Sequence, residues 1–217
     1  DPDVVMHLYG ELTAFGFEVI VVDDGDTMDL PDWMNVLSYF PQMGYGYALK
    51  KGIEEAKTEL VCTTDGDGQH LPSDVKKLYT MYKMIPDCKM VVGTRWNLKE
   101  TFSRRYGRKF LNFLASAFSM HYMIDLNSGL RVLDRDLVLK YMPILCDTFS
   151  FTTSLTMSMV TDGHKFAWFP IEVQDRKFGK SNVRLISHGF ITLYYILWIG
   201  IALRTRRLRG WIRRLLG

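Results

Sequence analysis

The chain has 217 residues, enough for one domain with a full core, and its 47% hydrophobic and 13% aromatic content excludes a disordered protein. Net charge is only +3, but residues 204–217 hold six arginines and no acid; the remaining 21 basic residues face 24 acids, a body of −3, which gives no reason to expect a nucleic-acid partner. Three cysteines (Cys62, Cys88, Cys146) form no CxxC pattern and cannot all pair, as expected of reduced thiols in a cytosolic compartment. No signal-peptide pattern is visible, and the chain starts at Asp1 without Met, so its natural beginning is expected upstream.

In chain order, "VVMHLYGELTAFG" reads as an amphipathic helix stopped by Gly16. "FEVIVVDDG" (17–25) is an apolar run ended by two aspartates and a glycine, the pattern of a strand buried on both faces. "NVLSYF" suits a short strand, "GYALKKGIEEAK" a helix, "ELVCTTD" a strand and "PSDVKKLYTMYKMI" a helix opening at Pro72. "CKMVVGTR" is a further strand and "FSRRYGRKFLNFLASAFSM" a helix with a basic start. "SGLRVLD", "FTTSLTMSMVTDG" and "KFAWFPIEV" read as strand, helix and strand. A polar, basic loop "QDRKFGKSN" (174–182) follows, and then eighteen residues without formal charge, 186–203. No internal repeat or low-complexity linker interrupts this order. Such alternation predicts an α/β domain with a mostly parallel sheet, whose ligands bind beyond the carboxyl ends of the strands. Asp23, Asp24, Asp65, Asp67 and Arg95 all fall at that edge.

The stretch "TTDGDGQH" (63–70) carries the strongest chemical signal. Two like charges one residue apart repel, and a divalent cation would remove the repulsion. An EF-hand loop does not fit, because the residues at its required Gly and Glu positions are His70 and Lys76. A phosphohydrolase with Asp65 as nucleophile would want its pair on the first strand and a second acidic pair downstream, and neither is evident. In a nucleotide-sugar transferase the spacing has a reason. A hard cation takes oxygen ligands from two or three protein groups and keeps positions open for a diphosphate. Flanking glycines let the phosphates approach the backbone.

Six blocks in order carry a resemblance over roughly residues 5–200. "VIVVDDGDTMD" resembles V-V-D-D-G-S-x-D, and "GYGYALKKGIEEA" resembles G-K-G-x-A-x-x-x-G-I-x-x-A. "TTDGDGQHLPSDV" matches D-x-D-x-Q-H-x-P-x-x-[IVL], and "VVGTRW" matches V-V-G-S-R-Y. "IDLNSGLRVLDRDL" matches D-x-x-S-G-F-R-x-[FY]-x-[RK], and "DRKFGKSN" matches R-x-x-G-x-S-K. The chain thus resembles glycosyltransferase family 2, most closely its dolichol-phosphate mannose synthase and polyprenyl-phosphate glycosyltransferase branch.

The resemblance implies a GT-A, Rossmann-like α/β fold and an inverting transfer of a hexose from a GDP- or UDP-linked sugar to a polyprenyl phosphate. It implies Mg or Mn at Asp65, Asp67 and Gln69, and nucleotide contacts from Asp23, Asp24 and Asp65. Arg95 and Asp125, with Asp67, would sit at the reacting centre. Arg104, Arg105, Ser128 and Arg131 would serve the acceptor side, with Gly129 beside them. Arg176, Lys180 and Ser181 would close over the phosphates as a lid. The family's first strand and its Pro-x-x-Asn-Glu turn have no counterpart before residue 1. Ser154 stands near an acid of the mannose synthases and Asn182 replaces the usual Lys, so mannose is not implied. The rival expectations are a catalytically silent membrane-bound scaffold on the same fold and a transferase with a non-lipid acceptor.

Residues 190–203, "FITLYYILWIGIAL", are apolar on every face. As a helix they reach about 21 Å, short of the roughly 30 Å hydrocarbon core. With the arginine-rich tail they predict monotopic or peripheral attachment to the cytoplasmic face of a membrane. The expected organisation is a transferase domain over 1–183 and a membrane-associating tail of helices over 184–217.

Overall fold

The computed structural model describes residues 1–25, 28–97, 100–174 and 185–216, the last segment with side chains from His188 to Thr205. Helix α1 (Pro2–Ala14) starts under Asp1, whose carboxylate accepts the Asp3 N–H at 3.0 Å, and has Pro2 in its first turn. Gly16, at φ +87°, ends it as read. Strands β1 (Val21–Asp24) and β2 (Val36–Tyr39) pair in parallel, with Asp23 opposite Ser38. Helix α2 (Tyr45–Glu55), β3 (Leu60–Thr63), α3 (Pro72–Met84), β4 (Met90–Arg95) and α4 (Phe102–Ser119) follow. Then come β5 (Arg131–Asp134), α5 (Arg135–Tyr141), a 3-10 turn at Met142–Ile144, α6 (Phe151–Thr161), β6 (Phe166–Ile171) and α7 (Leu185–Leu216). Cys62, Cys88 and Cys146 are free thiols.

The second sheet has the order β3-β5-β4-β6. β4 and β6 are parallel, while β5 runs antiparallel to both of its neighbours. Three of its four strands therefore share one direction, and β5 is reversed. The reversal has a use: β5 enters at the carboxyl end of β3, where Arg131 faces Thr63, so the preceding turn with Ser128 and Gly129 is delivered to that edge.

Side chains of the sheet alternate between two cores. Val91 and Val132 face Leu12 of α1 and Val75 and Leu78 of α3. Met90, Val92 and Leu133 face Ala115 of α4, Leu155 of α6 and Ile196 of α7. All eleven residues of α6 are buried, hydroxyls included, so it is a core helix rather than an amphipathic one.

Helix α7 differs from the expected tail. It is one continuous helix of 32 residues, not several. Its apolar residues divide between two faces: Ile196, Ile199 and Leu203 complete the core, while Phe190, Tyr194, Trp198 and Ile201 point outward. Arg204 donates to the Ala117 carbonyl of α4 at 2.9 Å. Among the described residues no helix is long and apolar enough to cross a membrane.

The two sheets are not hydrogen-bonded to one another. A cleft of about 1930 Å³ lies along their facing edges, with Val21 and Val22 of β1, Leu60 and Val61 of β3 and Leu8 and Leu12 of α1 in its walls. Its lining also includes polar groups from the loop after β3 and from α4.

Candidate active site

The turn after β3 is built from both sides. Thr63 Oγ1 donates to the Gly129 carbonyl at 2.6 Å, joining the β3 exit to the turn before β5. Asp65 Oδ1 accepts the Tyr45 hydroxyl at 3.0 Å, and Oδ2 lies 3.5 Å from Nε2 of the buried His70. Burial pushes the Asp65 carboxyl up, but the hydrogen bond and charge of His70, helped by Tyr45 and Arg95, outweigh it and hold the group below the usual carboxylate range. Asp65 still keeps 31% of its side chain exposed, at the cleft. Asp67 Oδ1 accepts the Gln69 N–H at 3.0 Å. Gln69 in turn accepts the Gln174 N–H at 2.9 Å and donates its side-chain amide to the Gln174 carbonyl at 3.4 Å. The DGDG turn is thus tied to the start of the basic loop.

Gly129 packs directly on this carboxylate. A Cβ there would stand 2.6 Å from Asp65 Oδ1 and 2.7 Å from the Tyr45 hydroxyl. Gly129→Ala is expected to displace Asp65 and lower transfer activity by about tenfold or more, for a stability loss of about 1–3 kcal/mol. Urea unfolding beside an activity assay checks this; unchanged activity would contradict it.

Arg95, at the end of β4, lines the cleft and grips Asp125 with Nε and Nη2, each 2.8 Å from a carboxylate oxygen. The pair is buried, with 18% of Arg95 and 3% of Asp125 exposed. Burial opposes charge on Asp125, yet the Arg95 guanidinium overcomes it and keeps the carboxyl below its ordinary value. The same carboxylate raises Arg95 against the burial that would lower it. Both Asp125 oxygens are thus engaged by Arg95, and Nη1 of Arg95 is in neither bond.

The other expected residues divide. Asp65, Asp67, Gln69, Arg95 and Arg104 share the cleft lining. Asp24 receives the N–H groups of Met43 and Gly44 at 2.7 and 2.8 Å, fixing the entry to α2, and Asp23 receives that of Met28 at 2.8 Å. Neither aspartate lines the cleft. Ser128 and Arg131 lie beneath it with no exposed surface. Arg131 donates to the carbonyls of Leu126 and Ser128 and to Thr156 Oγ1, so it shapes the turn rather than meeting solvent. Burial brings its guanidinium down to about 10. Arg105 is exposed on α4 and outside the lining. Arg176, Lys180 and Ser181 lie outside the described residues.

Several groups at the site were not singled out from the sequence as functional. Tyr45 and His70 brace Asp65, Glu100 pairs with Arg108 at 2.8 Å, and Phe149 and His188 reach the cleft from the segment before α6 and from α7. His70 and Tyr45 lie inside family motifs; the others had no local signal.

The sequence pattern of Glycosyl transferase family 2 matches residues 7–141. An uncharacterized protein of Methanocaldococcus jannaschii is 26% identical, over 82% of this chain and 79% of its own length. The undecaprenyl-phosphate 4-deoxy-4-formamido-L-arabinose transferase of Serratia proteamaculans is also 26% identical; the match covers 83% of this chain but only 56% of that enzyme. Among solved structures, glucosyl-3-phosphoglycerate synthase of Mycobacterium tuberculosis, bound to Mn²⁺, UDP and phosphoglyceric acid, superposes with a TM-score of 0.72 at 16% identity, over 92% of this chain and 73% of that one. Mannosyl-3-phosphoglycerate synthase of Rubrobacter xylanophilus gives 0.65 at 17% identity, over 98% and 72%. The chain belongs to glycosyl transferase family 2, is a glycosyltransferase on a GT-A fold, and is similar to the polyprenyl-phosphate transferases of that family.

Proposed function

We propose that the chain transfers a hexose from a GDP- or UDP-linked sugar to a polyprenyl phosphate at a membrane surface, with inversion at the anomeric carbon and with a divalent cation. The observation that carries this reading is the Asp65-Asp67-Gln69 turn facing one cleft with Arg95 and Arg104.

The donor set fits Mg²⁺ or Mn²⁺: two carboxylates and an amide are hard oxygen ligands. Among the described residues no group of three or more His, Cys, Asp or Glu could by itself hold a metal ion, so the remaining ligands would have to come from the substrate and water. When bound, the ion would neutralise the charge that develops on the leaving diphosphate. The chain's own residues supply the rest. Arg95, oriented by Asp125, offers Nη1 to a phosphate oxygen. Arg104 adds positive charge at the same opening. An acceptor phosphate oxygen forms the new bond to the anomeric carbon as the bond to the diphosphate breaks, so the electron pair leaves with the nucleotide. That oxygen is already anionic near neutral pH, and no strong general base is required. Positioning and charge neutralisation are the main terms. Asp23 and Asp24, outside the cleft lining, would contact the base and ribose of a nucleotide that extends beyond it, and Arg176, Lys180 and Ser181 would close over the phosphates.

A lipid acceptor is favoured by two outward stripes. Helix α4 exposes Phe102, Tyr106, Phe110 and Phe113, and α7 exposes Phe190, Tyr194, Trp198 and Ile201, each set at spacings of three and four residues. Exposed Arg104, Arg105 and Lys109 accompany the first, and the six arginines of 204–217 follow the second. Aromatic rings beside cationic groups suit the headgroup level of an anionic leaflet, hence the cytoplasmic face. We place the membrane-associating segment at 184–217, joined by the outer face of α4, with the transferase domain over 1–183. Because α7 also completes the core, the test uses surface changes rather than truncation. A Phe110→Ser/Phe113→Ser/Tyr194→Ser variant is expected to stay folded and to lose about tenfold or more in co-sedimentation with anionic liposomes. Unchanged co-sedimentation would contradict the membrane surface.

The acceptor is tested by a screen of UDP- and GDP-sugars against a short polyprenyl phosphate and, in a parallel arm, 3-phosphoglycerate. Lipid-linked product is expected from the first arm. Product from the second arm alone would replace the lipid reading, and none from either would favour a silent scaffold.

A further inference from the structure

Where the family pattern has lysine in G-K-G, this chain has Tyr45. Its hydroxyl donates to Asp65 Oδ1 at 3.0 Å. Its ring lies parallel to Phe149, centroids 5.3 Å apart at 9°, and Phe149 leans on His188 of α7 at 4.9 Å and 34°. Ser150, next to Phe149, shares a 2.9 Å hydroxyl contact with Thr192 one turn beyond His188. Gly46 brings the start of α2 against the same segment: a Cβ there would collide with the carbonyls of Cys146 and Thr148. The three rings therefore come from α2, α7 and the segment before α6, which are held together by the close Gly46 backbone approach and the Ser150–Thr192 contact.

We propose that Tyr45 is a positioning residue for the donor site, fixing the Asp65 carboxylate for a divalent cation and a nucleotide diphosphate. The proposal rests on reading Asp65 and Asp67 as the donor-binding pair. The phenol orients the Asp65 carboxylate and leaves its full negative charge for a cation. An ordinary tyrosine hydroxyl is protonated near neutral pH, so it is the donor in this bond and Asp65 the acceptor. The stack on Phe149 removes the freedom the ring would otherwise have, so the donor arrives at the carboxylate already aimed.

Tyr45→Phe keeps the stack and removes only the hydroxyl. Mn²⁺ binding is followed by electron paramagnetic resonance in the presence of UDP, and separately GDP, together with thermal unfolding. The expected result is a Tm within a few degrees of the wild type, a five- to tenfold weaker Mn²⁺–nucleotide affinity and a raised KM for donor (the loss of one hydrogen bond to a charged group). Phe149→Leu is expected to weaken Mn²⁺ binding less than Tyr45→Phe does. A merely structural tyrosine would shift Tm and leave the Mn²⁺ affinity of the folded protein alone. Wild-type affinity in folded Tyr45→Phe overturns this proposal while leaving the donor site intact. No Mn²⁺-dependent nucleotide binding by the wild-type chain overturns the donor-site reading, and this proposal with it.

Discussion

Asp67→Ala is expected to abolish metal-dependent nucleotide-sugar binding and to lower transfer by at least about 100-fold, the scale of losing a principal electrostatic group. One of only two carboxylates at the cleft turn disappears. The stability cost should stay within about 1 kcal/mol, because the side chain is half-buried and its Gln69 N–H contact is an ordinary hydrogen bond. Removing one of two neighbouring like charges offsets part of that cost. A transfer assay paired with urea unfolding separates the two quantities. Full activity in this variant would refute the metal assignment; a loss of activity matched by unfolding would make Asp67 structural instead.

The second large effect concerns Arg95. Arg95→Ala should destabilise the fold by about 3–5 kcal/mol, since it strands the Asp125 carboxylate, 3% exposed, without its partner. Arg95→Ala/Asp125→Ala should recover part of the stability but none of the activity. The pH dependence has a definite sign. In the wild type the folded-state value of Asp125 lies below its unfolded value of about 3.9. Its stabilisation is therefore complete above that pH and is lost as pH falls through the folded value. In Arg95→Ala the guanidinium is gone and burial is opposed only by the backbone N–H of residue 95 and the charge of Arg108, the two smallest of the opposing influences, so the carboxyl is expected to rise. That variant should lose further stability as pH rises from about 4 to 7, where the wild type shows no such loss from this group. Denaturant midpoints measured at both ends of that interval decide it. Parallel profiles for the two proteins would mean that Asp125 does not depend on Arg95 for its charge.

Much of the site's outline could be read from the sequence because strand exits are local. An apolar run ended by Asp65, or by Arg95, announces both the strand and the edge where its last side chain emerges. Motif order then supplied the family. Three things had no local signature. Periodicity carries no direction, so nothing in "GLRVLD" marked β5 as reversed. A uniformly apolar run cannot say which face packs inward, so Ile196 and Tyr194 looked alike although one is core and the other exposed. Long-range pairing was also out of reach. Tyr45 and Phe149 stack across more than a hundred residues of sequence, and Arg95 meets Asp125 only because α4 intervenes and returns. Arg131 shows the opposite error: a cation in a functional motif reads as a ligand contact, while its side chain is buried under the turn, bonded to carbonyls and a hydroxyl.

The Asp65–Asp67 turn is proposed to bind a nucleotide-sugar through a divalent cation. Calorimetric titration of the chain with UDP- and GDP-sugars, in Mn²⁺ and again after chelation with EDTA, tests it most directly. Saturable binding of one nucleotide class is expected in Mn²⁺ and should disappear with EDTA and in Asp67→Ala. Equal binding with and without the metal, or no binding of either class by the folded chain, would contradict it.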